Sequence, residues 1–275
     1  MRSSQQYFSK NSLKAGDIIF TMPLHPVALA VASIDGLPWS HVAIVRDRKT
    51  VVEASPGGAR SVKISEYVKK GASVNHIDAF RPVCAHGLCF ENKSIRQMRL
   101  FLDQSIGTNF PMFSMLQLYF VQQLTTKINS PMISKTFYKL CSFFLRGKKN
   151  RMMCSVLAMR ALRQLNPSDN NWPRVAERDM FTGDQSHNFG SGEFISVVKQ
   201  VISLLAPKLA KNSNKFLASE TLRDFLRKTR ENVLKNLSAG QARILMSKDR
   251  PQLVFISDLL LSPDIHHLGQ IKMSK

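Results

Sequence analysis

The sequence predicts an α+β protein in which a small antiparallel sheet packs on helices and a helical C-terminal extension follows. Three observations carry this expectation. Between Leu13 and Arg81 the chain is a succession of short β-branched runs separated by Gly, Pro and charged turns. From Ser94 to Ile106, and again from Cys154 to Leu165, apolar residues recur at helical spacing. Beyond Glu193 the pattern is mostly helical, with Leu222, Phe225, Leu226, Val233 and Leu234 on one stripe. A chain of 275 residues that is 44% hydrophobic can bury a sizeable core. The expected organisation is a first domain over residues 1–192, carrying an apolar, basic insert at about 107–150, and a helical extension over 193–275, read as a cap on the first domain in preference to a separate partner-binding module.

The elements follow in order. Leu13-Lys-Ala-Gly-Asp17 is a turn leading into the strand Ile18-Ile-Phe20, which breaks at Pro23 and Pro26. Pro38-Trp39-Ser40-His41 opens a second strand, Val42 to Val45, with His41 at its mouth. After the charged turn at Arg46–Lys49, Val51 to Ser55 forms a third strand, closed by Pro56-Gly57-Gly58. The short connection makes strands two and three an antiparallel hairpin, so His41 and Glu53 lie on neighbours. Ser61–Ile64 and Val74–Arg81 complete the strands around a helical piece at Glu66–Lys70, and the whole reads as a meander. His266 and His267 fall in a polar tail.

The formal charge of +20 and a pI near 10.2 direct the surface toward polyanions: nucleic acid, anionic headgroups or an acidic cell-wall polymer. No RNA-recognition pattern, zinc finger or phosphate-binding loop favours nucleic acid. Cys84, Cys89, Cys141 and Cys154 lack metal-site spacing, so no metal is expected, and a Cys84–Cys89 disulfide is left open. The first residues lack the apolar core of a secretory signal and no apolar run is long enough to span a bilayer. The expectation is a chain made in the cytoplasm, exported if at all by a dedicated secretion system.

Cys154 opens a helical run that stops before Asn166-Pro167. Most free helical cysteines are small buried hydrophobes. A thiol near a helix N-terminus and beside Arg151 is also favoured as thiolate, which is how a cysteine becomes a nucleophile. Both readings stand on this segment alone. Cys141 has no base near it in sequence, His25, His76, His86 and His187 have no recognisable partners, and Asp17 is a candidate for shaping a site.

Gly16-Asp-Ile-Ile-Phe20, Ser40-His-Val-Ala-Ile-Val45, Val51-Val-Glu-Ala-Ser-Pro-Gly-Gly58 and the late Cys154-Ser-Val-Leu157, in that order, resemble the circularly permuted branch of the NlpC-type papain-like cysteine hydrolases. This branch includes YiiX-like proteins and lecithin:retinol acyltransferase relatives. The resemblance covers Leu13 to Gln164, and Gly107-Thr-Asn-Phe110 is more loosely similar to a segment preceding the cysteine in such proteins. It implies a permuted papain-like fold with Cys154 as nucleophile, His41 as base and acid, Glu53 as the residue orienting the imidazole, and no cofactor. Three functions are open. The first is an acyl hydrolase or acyltransferase on membrane phospholipid, which the apolar, basic insert favours. The second is a peptidoglycan stem-peptide amidase or endopeptidase, and the third an inactive basic binding module. Either enzyme would suit an antibacterial toxin with a secretion-system carrier and an immunity protein as partners.

Overall fold

In the computed structural model the described residues are 7–24, 28, 32, 37–69, 74–83, 90–110, 152–169, 172–174, 223–224, 226–228, 230–231, 234, 256–260 and 262–273. They form an α+β architecture: a mixed seven-stranded sheet with helices packed against it. The strands are β1 (Tyr7–Phe8), β2 (Ile18–Pro23), β3 (His41–Val45), β4 (Thr50–Ser55), β5 (Gly58–Lys63), β6 (Val74–Pro82) and β7 (Ile265–Ile271). The helices are α1 (Ile64–Val68), α2 (Asn92–Ser105), α3 (Cys154–Arg163) and α4 (Ile256–Leu260). The spatial order is β1-β7-β6-β2-β3-β4-β5. Every neighbouring pair is antiparallel except β1 and β7.

Turn length fixes the register that matters for the site. Pro56 and Gly57 form a two-residue turn, so Ser55 pairs with Gly58 and, counting outward, Glu53 pairs with Arg60. On the other side of β4, Glu53 faces Ala43, two residues along from His41. His41 in turn faces Thr21 of β2. Because side chains alternate, Thr21, His41 and Glu53 share the parity of Ile19, Ala43 and Val51.

That parity divides the core. Ile18, Phe20, Val42, Ile44, Val52 and Phe80 pack with Leu157, Ala158, Ala161 and Leu162 of α3 and with Met98 and Leu102 of α2. Ile19, Ala43, Val45, Val51, Ile77 and Ala79 pack with Ile64, Tyr67 and Val68 of α1. Both sets are almost without solvent exposure, so β2 and β3 are covered on both faces. Truncating Ile44 to Ala would cost about 2–5 kcal/mol from lost burial and the void left behind.

The joint between β5 and the start of α3 is made by backbone. Ala59 N–H donates to Thr108 O at 2.9 Å, Gly107 N–H to Ala59 O at 2.8 Å, and Met152 N–H to Asn109 O at 3.0 Å. This approach requires glycine at position 58, where φ is +97° and a Cβ would lie 2.9 Å from the Thr108 carbonyl oxygen. Residues 111–151, most of the insert, lie outside the described residues.

Two expectations are corrected. The strands do not form a simple meander: after β5 the chain returns across the sheet, and β6 pairs with β2 rather than with β5. Ile265–Ile271 is a strand between β1 and β6, not a polar tail; the adjacent exposed His266 and His267 and a register shift against β6 interrupt the alternation that would mark it in sequence. Among the described residues no helix is long and apolar enough to cross a membrane.

Candidate active site

Glu53 is 3% exposed, yet its carboxylate is surrounded by donors. Oε1 accepts from Arg60 Nε at 2.9 Å and from Arg60 Nη2 at 2.7 Å. Oε2 accepts from the Tyr67 hydroxyl at 2.8 Å and lies 2.7 Å from His41 Nε2. Burial alone would push the carboxyl up, but the hydrogen bond and charge of His41, with Tyr67 and Arg60, outweigh it. Glu53 is held well below the usual carboxylate range.

His41 stands between two groups. Its Nε2 lies 2.7 Å from Glu53 Oε2, and Cys154 is near enough to act on the imidazole electrostatically. Burial disfavours the imidazolium, but the hydrogen bonds and charges of Cys154 and Glu53 overcome that and raise the imidazole to about 10. The ring is therefore cationic at neutral pH. Its side chain keeps 15% exposure, so the ring is not wholly sealed from solvent.

Cys154 is a free thiol and the first residue of α3. The helix packs over β3 and β4, the strands that carry His41 and Glu53. α3 lies on the Val42 and Ile44 face while His41, the first residue of β3, has the opposite parity, so Cys154 comes near His41 at the end of the sheet. Arg160 and Arg163 in the last turn complement the carbonyl end of the helix dipole.

The three residues singled out in sequence, Cys154, His41 and Glu53, are thus brought together. Sequence reasoning missed Tyr67 and Arg60. The signal for Arg60 was present, because the two-residue turn at Pro56-Gly57 pairs position 53 with 60 and places opposite charges across the hairpin. Tyr67 gives no such signal, since its spacing in α1 reads as ordinary core. Behind it, Thr21 makes a side-chain hydrogen bond to the Tyr67 oxygen, extending the network to β2.

Asp17 does not belong to the site. It accepts from the Lys14 N–H at 2.8 Å and from Arg81 Nε at 2.7 Å, and its backbone lies beside Val45, at the opposite end of β3 from His41. His76, expected to have no recognisable partner, and His267, expected in a polar tail, both lie at a second buried carboxylate. Asp78 of β6 accepts from Trp39 Nε1 at 3.0 Å and from Arg230 Nε at 2.6 Å, with His267 Nε2 at 3.1 Å. Buried His76 flanks this group; burial chiefly, and the charge of Arg230, lower its imidazole to about 4 against the pull of Asp78. Cys84, Cys89, Cys141, His25, His86, His187 and Arg151 lie outside the described residues, as does any Cys84–Cys89 bridge. Among the described residues no group of His, Cys, Asp and Glu could hold a metal ion. No family model matches the chain, and no curated protein matches it.

Proposed function

We propose that the protein is a cysteine-dependent acyl hydrolase or acyltransferase of the permuted papain-like, NlpC-type kind, acting on acyl bonds of membrane phospholipids. What supports this reading is the His41 ring, held 2.7 Å from an ionised, buried carboxylate and raised in proton affinity by Cys154 nearby. A histidine so placed takes the thiol proton and returns it to a leaving group, while the carboxylate fixes its orientation.

In the proposed reaction the sulfur of Cys154 attacks the ester carbonyl carbon. The backbone N–H of Cys154, which opens α3 and has no carbonyl one turn earlier in the helix, is a donor for the oxyanion. Collapse breaks the ester C–O bond, and His41 protonates the departing alkoxide, giving lysolipid and a thioester. A water molecule or acceptor alcohol, losing its proton to His41, then attacks the thioester. The C–S bond breaks, fatty acid or a new ester leaves, and His41 keeps the proton as imidazolium beside the released sulfur, ready for the next turnover.

Composition supports the lipid. From Gln104 through Ser168 the chain has no Asp or Glu, and its Phe, Met and Leu are interleaved with Lys135, Lys139, Arg146, Lys148 and Lys149. Apolar anchors among basic residues suit an anionic bilayer surface. The test is to incubate wild type and Cys154→Ala with anionic phospholipid vesicles and, separately, with purified peptidoglycan, and to analyse products by mass spectrometry. Lysolipid and free fatty acid from wild type alone are expected. Cleaved stem peptides instead would move the substrate to the cell wall, and inactivity on both would defeat the proposed lipid activity.

A further inference from the structure

The hydrogen bonds around Glu53 exceed what is needed to orient one imidazole. His41 uses a single lone pair of Oε2; Arg60 places two N–H groups on Oε1, and Tyr67 donates to Oε2 beside the ring. Tyr67 is itself fixed, packed in the core beneath the sheet with Thr21 on its oxygen. We propose that Arg60 and Tyr67 are positioning residues that hold Glu53 as an anion in mildly acidic surroundings, so that His41 and Cys154 stay assembled there. This deepens, and rests on, the reading of Cys154, His41 and Glu53 as a catalytic group.

The physical argument concerns which proton goes where. A carboxylate shielded from water gains proton affinity, and beside an imidazolium it can take the ring's proton instead of steering it. Donors on both oxygens oppose that, because each bonds the ionised form more strongly than the neutral acid. Among the described residues the charged and titratable groups facing Glu53 are Arg60 from β5, Tyr67 from α1 and His41 from β3, with Cys154 of α3 beyond the ring. Removing a donor raises the affinity of Glu53 for a proton. On acidification the carboxylate is then lost first, and the imidazolium loses its partner. Arg60 is half-exposed and reaches the carboxylate from the solvent side, whereas Tyr67 reaches it from the core, so the two supports are independent.

Alkylation by iodoacetamide tests this without knowledge of the substrate, since the sulfur displaces iodide and the thiol proton remains on the imidazole. The rate at Cys154 is followed by peptide mass spectrometry on the full chain at about pH 5 and about pH 7.5, the range over which an ordinary carboxyl begins to matter. Tyr67→Phe and Arg60→Met are expected to slow alkylation about 3-fold at the higher pH and at least about 10-fold at the lower, as loss of a charge-assisted hydrogen bond implies. Arg60→Lys, which keeps the charge, recovers most of the loss. In a Glu53→Gln background neither substitution slows the reaction further, because both act through that carboxylate. Equal slowing at both pH values, or slowing that adds to Glu53→Gln, overturns the proposal. Tyr67→Phe preserves the ring and its packing, so it serves if Arg60→Met fails to fold. A wild-type Cys154 that alkylates no faster than Cys84, Cys89 and Cys141 overturns the catalytic reading as well. A fast Cys154 without the pH-selective effect overturns this inference alone.

Discussion

At the scale of the residue, His41 depends on its two neighbours for its charge. With burial working against the proton, the hydrogen bonds and charges of Cys154 and Glu53 keep the ring protonated up to about 10. A ring titration followed by NMR in wild type should have its midpoint near that value. Glu53→Gln removes a charge and a charged acceptor, so the midpoint should fall by at least about one pH unit, equivalent to ~1.4 kcal/mol of differential interaction. A midpoint that does not move would show that the carboxylate does not support the imidazolium. The sequence disclosed the three residue types and their order, and hairpin counting places Arg60 opposite Glu53. Tyr67 was hidden because an aromatic on an apolar helix face looks the same whether its hydroxyl is idle or bonded to a carboxylate.

At the scale of the element, the second buried carboxylate ties together parts of the chain that sequence leaves separate. Arg230, from the helical residues near Leu226 and Leu234, donates through Nε and Nη2 to Asp78 in β6, and Trp39, two residues before His41, donates to the same group. Arg230→Met strands a buried anion and should lower stability by about 3–5 kcal/mol in chemical denaturation. Adding Asp78→Asn should recover part of that loss, because the unpaired charge is then gone. The sign of the pH dependence follows from the direction of the shift. Arg230 and His267 hold Asp78 below its unfolded value despite burial. Its contribution is therefore present above the ordinary carboxyl value of about 3.9 and is lost as pH falls below it toward the lower folded value. The stability gap between wild type and Asp78→Asn should narrow on acidification below about pH 4, whereas a constant gap would contradict the ionised assignment. Strands β2 to β5 and helices α2 and α3 were legible because each shows its own period. Strand β7 was not, since its pairing with β1 and β6 is decided by partners far away in the chain.

At the scale of the whole molecule, the hydrogen bond from Met152 to Asn109 brings the two flanks of residues 111–151 together. Replacing 112–150 with a short Gly-Ser linker should therefore leave the sheet and the alkylation of Cys154 intact, with the melting temperature changed by only about 2–4 °C. If the proposed lipid reading holds, the same deletion should weaken sedimentation with anionic vesicles, and undiminished binding would count against a role of this segment in it. A different consequence attaches to β7. It occupies an interior place in the sheet, and the pairing of His267 with Asp78 spans 189 positions. While the ribosome is still making the middle of the protein, the flank of β6 that will receive β7 has no partner, and the nascent chain carries an open, sticky edge.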